Sequence, residues 1–233
     1  MRIGLLADVH GNIHALNACL DRFRAAAVEK VLCAGDVIGY YPFVNEVIES
    51  LRRHDVIAIR GNHEAYLLGL IQTSEERFHR CSLDWVEEHL TPENRSFVSQ
   101  LPARRAVELQ GKRLLMFHGS PWSVEEYVYP DYPHFDRFAH LDADLVVLGH
   151  THIPMVRRSG TVTIVNPGSC GQPRDYNPQA AYGLLDTETM GVELGRVEYD
   201  VDAVCRGVAD EGLWSELAVM LKRTRSSGPA QVP

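Results

Sequence analysis

Seven side chains of types that commonly bind divalent metals lie in five short clusters of this 233-residue sequence. The clusters read Asp-x-His at 8–10, Gly-Asp at 35–36, Gly-Asn-His-Glu at 61–64, His-Gly at 118–119 and Gly-His-Thr-His at 149–152. The candidate ligands are Asp8, His10, Asp36, Asn62, His118, His150 and His152. Carboxylates, an amide oxygen and imidazoles together suit divalent first-row metals, with Mn as the first candidate and Fe, Zn and Ni as alternatives. We therefore predict a centre that holds two divalent transition-metal ions.

Each cluster follows a predicted strand. Short apolar runs rich in β-branched residues precede the five clusters, at 3–7, 31–34, 56–59, 114–117 and 145–148. In an open α/β sheet, ligands bind outside the carboxyl ends of the strands. We therefore expect the five clusters to meet at one edge of the fold.

Two clusters give further indications of how the metals would be shared. A carboxylate has two oxygens and can bridge cations that lie roughly 3.5 to 4 Å apart, so Asp36 is the natural bridging ligand. In His150-Thr151-His152, a spacing of two on an extended segment would send both imidazoles to one side of the chain. One cation could take both imidazoles or each cation could take one, and the spacing leaves this choice open. Asn62 is neutral, so as a ligand it would keep the net charge at its metal less negative, which favours an anionic substrate.

The order of these motifs resembles that of the calcineurin-like metallophosphoesterase superfamily, over residues 2–174. The resemblance implies a first metal held by Asp8, His10 and His152. It implies a second metal held by Asn62, His118 and His150, with Asp36 bridging the two. His63 would stay off the metals and either donate a proton to the leaving oxygen or bind the phosphoryl group. The implied reaction is hydrolysis of a phosphoester by a metal-bridging hydroxide.

The segment after the last metal motif suggests how the phosphate would be held. Residues 167–175 resemble a stretch found in one bacterial and archaeal branch of the superfamily, the small phosphodiesterases. Arg174 is the candidate phosphate clamp because its planar fork matches phosphate oxygens, although a salt bridge with Asp175 is an equal alternative. Asn12 and Tyr40 closely follow the first two motifs and are further candidate substrate contacts.

The sequence also favours some substrates over others. The protein serine/threonine phosphatases carry an arginine after the bridging aspartate, where this chain has residues 37–41 without one. With Arg174 as the one guanidinium expected beside the metals, a phosphodiester of a small or nucleotide substrate is favoured over a monoester dianion. The alternatives are a dinucleoside polyphosphate hydrolase, a phosphomonoesterase or protein phosphatase and, more remotely, a non-catalytic scaffold like the retromer subunit of this fold. That subunit lacks the histidine that corresponds to His63.

The element pattern predicts an α/β fold, a four-layer α/β/β/α sandwich of two mixed sheets in a single domain over 1–225. Strands at 2–8, 30–35 and 56–60 alternate with helices at about 14–27 and 43–54, which implies a parallel sheet. Later strands are expected at 105–109, 113–117, 145–149, 155–158, 161–165, 181–186 and 192–199. A helix over about 201–221 would close the fold, and 226–233 would be a disordered tail.

Two insertions interrupt this pattern. Residues 64–103 contain helical signals only and are expected to form a helical cap beside the metal edge. Residues 120–140 are expected to form a long loop with a short helix. Its tyrosines, Tyr127, Tyr129 and Tyr132, either line the mouth of the substrate site or pack the loop.

Composition restricts the partners. The net charge of −8 argues against an extended nucleic-acid-binding surface, and 45% hydrophobic residues suffice for one sizeable core. The five cysteines form no C-x-x-C pair, which is typical of a reducing compartment. With no basic leader and no apolar segment of membrane-spanning length, we expect a cytoplasmic protein without membrane contact, either a monomer or a small homo-oligomer.

Overall fold

The structure, a computed structural model, describes residues 1–224. The described residues form ten strands: β1 (Arg2–Leu6), β2 (Lys30–Cys33), β3 (Ile57–Ala58), β4 (Arg104–Leu109), β5 (Lys112–Phe117), β6 (Leu145–Val147), β7 (Met155–Ser159), β8 (Val162–Asn166), β9 (Ala180–Asp186) and β10 (Gly191–Val197). They make two five-stranded sheets, ordered β10-β9-β1-β2-β3 and β4-β5-β6-β8-β7. Both sheets are mixed, as predicted.

The helices are α1 (Ile13–Ala25), α2 (Val44–Arg53), α3 (Asn62–Leu67), α4 (Glu75–Arg80), α5 (Leu83–His89), α6 (Pro92–Gln100), α7 (Val201–Asp210) and α8 (Glu216–Leu221). A 3₁₀ helix spans Phe135–His140 in the predicted long loop. Helices α3 to α6 occupy the segment expected to be the helical cap. The helical segment begins two residues earlier than the expected start at 64, because α3 starts at Asn62 inside the third metal motif.

Three apolar layers separate the four layers of structure. Alternate residues of β1 face opposite sides of the first sheet: Leu5 packs between the two sheets and Leu6 packs under the helices. Phe138 of the 3₁₀ helix packs on the outer face of the second sheet. The α/β/β/α sandwich is therefore confirmed, with a 3₁₀ helix and a loop as the outermost layer on the second sheet.

The pairing of the strands determines which ends come together. In the first sheet β1, β2 and β3 are parallel, and in the second sheet β5, β6 and β8 are parallel. The predicted turn between β4 and β5 is present, with Gln110 and Gly111 both at positive φ as a two-residue hairpin turn requires. Each of the five motifs follows the carboxyl end of a parallel strand.

One predicted element is wrong. The single helix over 201–221 is two helices, α7 and α8, separated by 211–215. Gly212 adopts a φ of +64° and the Leu213 N–H donates to the Val208 carbonyl, which ends the first helix in the way a C-terminal glycine commonly does.

The sequence also predicted a C-terminal tail, a domain boundary, the cellular location and the oligomeric state. The expected tail at 226–233 lies outside the described residues, and the single-domain boundary of 1–225 stays a prediction. No helix within residues 1–224 is long and apolar enough to cross a bilayer. Cytoplasmic location and oligomeric state stay predictions.

Candidate metal centre

The five motifs meet at one edge, where strands from both sheets end. Three groups of buried side chains each bring their ligand atoms within 4.8 Å of one another. The groups are Asp8, His10 and His152; Asp36, His118 and His150; and His10, Asp36 and His63. Asn62 joins the second group because its Oδ1 lies 3.0 Å from His118 Nε2. The first two groups have the same membership as the two ligand sets implied by the family resemblance.

The backbone at these positions is unusual. Six non-glycine residues of the site have φ in the left-handed region: Asp8 at 54°, His10 at 51°, Asp36 at 50°, Tyr40 at 60°, His150 at 67° and His152 at 59°. Each such residue costs roughly 1 to 2 kcal/mol, somewhat less for Asp, and persists only where the surrounding structure imposes it. The strand ends are therefore held in strained turns that direct these side chains to a common point.

The two histidines of the fifth motif correct one expectation. Because His150 and His152 both have positive φ, the segment is not extended and its imidazoles do not act as a pair. His152 Nε2 lies 3.1 Å from His10 Nε2, whereas the His150 ring contacts the His118 ring at a centroid distance of 5.1 Å. Each histidine thus belongs to a different ligand group.

A buried carboxylate holds two of the turns together. Glu64 Oε2 accepts hydrogen bonds from the N–H groups of Asp36 at 3.1 Å and Gly61 at 2.6 Å. Its Oε1 accepts from Val37 at 2.7 Å and Ile38 at 3.0 Å. The sequence reasoning gave Glu64 no such role, although its position three residues after the N-cap Gly61 is that of a capping-box glutamate.

Backbone carbonyls orient the imidazoles. Nδ1 of His10, His118 and His152 lies 3.1, 2.8 and 2.6 Å from the carbonyl oxygens of Ile38, Ala34 and Gln172 respectively. A carbonyl only accepts, so each Nδ1 carries a proton, and in the neutral form of each ring Nε2 presents a lone pair to the centre. His150 is reversed, because its Nε2 lies 3.3 Å from the Glu125 carbonyl. This leaves Nδ1 of His150 to face the centre.

Burial keeps most of these rings neutral. It lowers the pKa of His10 and His152 well below the usual value, that of His63 to about 4 and that of His150 to about 3. Burial acts in the same direction on His118, but the carboxylate of Asp36 outweighs it and raises the pKa to about 9. Neutral imidazoles are the form that binds metals.

The two carboxylates are placed as ligands would be. Asp36 Oδ2 lies 3.2 Å from His118 Nε2 and 3.8 Å from Nε2 of both His10 and His63, so it stands between the groups. Asp8 Oδ1 accepts from the His150 N–H at 3.0 Å, while its Oδ2 is buried without a hydrogen-bond partner. Burial raises the pKa of Asp8 to about 7. An unpartnered buried carboxylate oxygen is costly, and a cation would satisfy it, so the donor set fits divalent metals.

A cavity of about 170 Å³ opens over this centre. Its lining consists of Asp36, Tyr40, Asn62, His63, Ser74, Glu76, Arg77, Arg80, Cys81, Tyr127, His150, His152 and Arg174. Five of these residues, from Ser74 to Cys81, belong to the helical cap, which confirms that the cap lies beside the metal edge. Arg77 and Arg80 were missed by the sequence reasoning, and the expectation of a single arginine beyond the metals is wrong. Their spacing of three on a capped helix was the available signal.

Arg174 lines the cavity, and no carboxylate among residues 1–224 forms a salt bridge with it. Its Nη2 donates to the Tyr40 hydroxyl at 3.1 Å and to Gln172 Oε1 at 3.3 Å. Asp175 pairs instead with Arg196, so the alternative of an Arg174–Asp175 salt bridge is wrong. The positive charge of Arg174 is therefore available to an anionic ligand, and Tyr40 holds it in place.

The other candidate contacts divide between the cavity and the scaffold. Asn12 is fully buried; its Oδ1 accepts from the Ala15 N–H at 3.0 Å as the N-cap of α1, and its Nδ2 donates to the Gly171 carbonyl at 2.9 Å. We therefore correct the expectation for Asn12, which supports the site and does not reach the cavity. Tyr127 lines the cavity, and its ring centroid lies 4.0 Å from that of His150. The Tyr132 hydroxyl instead donates a hydrogen bond to Glu126 Oε1 within the loop.

Comparison with known proteins decides the family. Residues 1–190 match the calcineurin-like phosphoesterase superfamily domain. The chain belongs to this family. It is 32% identical to an uncharacterized protein of Methanocaldococcus jannaschii, MJ0912, over 85% of this chain and 88% of that protein. It is 27% identical to the phosphodiesterase YfcE of Escherichia coli K12, over 82% of this chain and 91% of YfcE.

Solved structures agree with the sequence comparison. The crystal structure of a metallophosphoesterase from Sphaerobacter thermophilus superposes with a TM-score of 0.82 and 29% identity, covering 96% of this chain and 98% of the other. The calcineurin-like phosphoesterase fold and the class of enzyme, a metal-dependent phosphoric ester hydrolase, are thereby confirmed.

Proposed function

We propose that this phosphoesterase uses two metal ions to hydrolyse a phosphodiester bond of a small or nucleotide substrate. The observation that carries the proposal is the position of Asp36, whose Oδ2 lies within 3.8 Å of ligand nitrogens from both groups at the floor of the cavity. A carboxylate placed in this way can hold two cations close together. The other ligands would be Asp8, His10 and His152 on one side and Asn62, His118 and His150 on the other.

Two bound divalent cations would supply charge neutralisation and lower the pKa of water at the site. Mn is the first candidate, and Fe, Zn and Ni are alternatives. The seven ligands would hold the two cations at the floor of the cavity, and Arg174 would bind and orient the phosphate through its guanidinium.

His63 is the proposed catalytic residue. It is 3% exposed, it lines the cavity, and its Nδ1 is buried with no hydrogen-bond partner among residues 1–224. Gly39 packs so closely that a Cβ there would lie 2.2 Å from His63 Nδ1, so the ring is confined on that side. Burial lowers the pKa of His63 to about 4, and an anionic phosphate bound beside the ring would raise that pKa. The protonated imidazole could then deliver a proton to the leaving oxygen, the role of a general acid.

The preference for a diester draws on the relatives, since the expected scarcity of positive charge is not observed. YfcE of Escherichia coli and MJ0936 of Methanocaldococcus jannaschii are both named phosphodiesterases. The additional guanidiniums of Arg77 and Arg80 favour substrates with more than one phosphate, so a dinucleoside polyphosphate hydrolase is the second candidate.

The test combines metal content with turnover of bis(p-nitrophenyl) phosphate in Mn. Asp36→Asn should lose both metals and the activity, because the charge that holds the cations together is gone. Asp142→Asn is the matched control, since the Asp142 side chain is 94% exposed and lies 3.7 Å from Arg113 Nε, away from the cavity lining. Wild-type metal content in Asp36→Asn would refute the bridging assignment. Faster turnover of matched monoesters than of diesters would refute the substrate assignment.

A further inference from the structure

Helix α4 of the cap presents two arginines to the cavity that contains the candidate metal ligands. Arg77 and Arg80 are three residues apart and so lie on the same side of the helix. Both line the cavity together with His63 and Arg174. Three guanidiniums from two separate parts of the chain therefore surround one small space.

Arg77 keeps most of its donors free. Its Nη1 donates to the Tyr66 hydroxyl at 3.0 Å and lies 3.6 Å from Glu125 Oε1, and no described residue accepts from its Nε or Nη2. Its side chain is 47% exposed. An ion pair this exposed contributes little, so a phosphate can take its place.

Arg80 lies over an aromatic ring beside the cavity. Its guanidinium carbon lies 4.8 Å from the centre of the Trp214 ring, and its Nη1 lies 3.4 Å from Glu76 Oε1. A guanidinium over an aromatic ring can still donate hydrogen bonds from its edges. Arg80 is therefore available to an oxyanion in the cavity that it lines.

These two arginines lie farther out than Arg174. Arg174 Nε is fully buried, and the groups that act most on its charge include Tyr40 and Asp8. Arg77 is half-exposed and contacts Tyr66 and Glu125 instead. A phosphate beside the metals and Arg174 thus leaves the α4 arginines available to a second anionic group.

An aromatic pair borders the same cavity. Tyr127 stacks on Tyr129 with their planes 6° apart and their centroids 5.6 Å apart, and both are more than one third exposed. Tyr127 lines the cavity together with Arg77 and Arg174. Stacked, exposed tyrosines are suited to a nucleobase.

We propose that Arg77 and Arg80 form a second anion subsite, which binds a phosphate of a nucleotide substrate other than the one that is hydrolysed. This inference rests on the proposed phosphodiesterase function. The substrate class is a nucleotide diester with an additional phosphate on the same nucleoside. Its scissile phosphate lies at the metals and Arg174, its base stacks on Tyr127 and Tyr129, and its second phosphate lies against α4.

The test uses two esters with the same leaving group, thymidine 5′-(p-nitrophenyl phosphate) and its 3′-phosphorylated derivative. The wild type should prefer the 3′-phosphorylated ester in kcat/KM. Arg77→Gln and Arg80→Gln should each reduce that preference by about tenfold, the usual effect of one charged hydrogen bond. Lysine at either position should restore part of the preference because it keeps the charge. The matched control is Arg95→Gln, a cap arginine that pairs with Glu87 at 3.8 Å and does not line the cavity.

A binding measurement separates this inference from the proposed function. Calorimetry of the Mn-loaded protein with thymidine 3′,5′-bisphosphate and with thymidine 5′-phosphate needs no turnover, and the bisphosphate should bind more tightly in the wild type than in Arg77→Gln. If neither ester is hydrolysed, the phosphodiesterase assignment fails while this comparison still decides the subsite. Equal affinities for the two nucleotides, or equal losses on both esters in the variants, would overturn the subsite.

Discussion

Removing the guanidinium of Arg174 should be the most informative change at this site, since Arg174 is proposed to bind substrate without binding metal. Two of its five N–H donors are used by Tyr40 and Gln172. No described residue accepts from Nε or Nη1, and Nε is buried, so the two N–H groups of Nη1 are the donors left for a phosphate.

The size of the effect follows from that count. A phosphate bound through a fork accepts two charge-assisted hydrogen bonds, each contributing roughly 1.5 to 3 kcal/mol. Their sum of about 3 to 6 kcal/mol, at about 1.4 kcal/mol per tenfold, corresponds to a loss of roughly 10² to 10⁴ in kcat/KM for Arg174→Ala. Arg174→Lys keeps the charge but not the fork and should lose about 10- to 100-fold.

The assay is steady-state hydrolysis of bis(p-nitrophenyl) phosphate in Mn, with metal content measured on the same samples. Metal content should not change in Arg174→Ala, and added guanidinium ion should restore part of the activity. Arg158→Ala is the matched control, since Arg158 donates to the carbonyl of Gly160 in the turn between β7 and β8 and does not line the cavity. A loss below about threefold in Arg174→Ala, or a loss of metal, would refute the reasoning.

Three further predictions concern residues around the metals. His63→Ala should lower turnover by roughly 10² to 10⁴ with metal content unchanged, and esters with acidic leaving groups should lose least; an equal loss across a leaving-group series would indicate phosphate binding instead. Gly39→Ala should lower turnover at constant metal content, because its Cβ would lie 2.2 Å from His63 Nδ1 at a φ of +88°; wild-type kinetics in this variant would contradict the proposed position of His63. Glu64→Gln replaces one acceptor oxygen by an NH₂ group, leaves two of the four backbone N–H groups without an acceptor and should destabilise the metal-free protein by roughly 2 to 4 kcal/mol in denaturant unfolding; unchanged stability would show that other contacts hold the two turns.

The sequence predicted that the candidate ligands would come together because each one follows an apolar strand. Parallel strands bring their carboxyl ends to one edge, so residues as distant as Asp8 and His150 could be expected to meet before any contact was known. The hairpin at Gln110 and Gly111 and the helical cap were predicted for similar reasons, since turn and capping residues act locally. These features depend on residue type and short spacing.

Features that depend on distant parts of the chain were not predicted. Arg77 and Arg80 reach the cavity because two hydrogen bonds join the cap to the loop after β2. Tyr40 donates its N–H to the Cys81 carbonyl at 2.7 Å, and the Ser82 hydroxyl donates to the Tyr40 carbonyl at 3.2 Å. No local pattern specifies these bonds. The expectation that Asn12 contacts the substrate failed for the same reason, because its hydrogen-bond partner Gly171 is distant in the chain.

The sequence by itself determined which side chains meet at the candidate site, the family and the type of chemistry, because strand periodicity and residue type are local properties. Only the tertiary structure decided how those side chains divide into groups. His150 and His152 are two residues apart, yet their left-handed backbone sends them to different ligand groups, and that backbone is held by contacts such as the 3.0 Å bond from the His150 N–H to Asp8 Oδ1. A strained conformation of this kind is stable only when long-range packing offsets its cost, so sequence spacing could not show it.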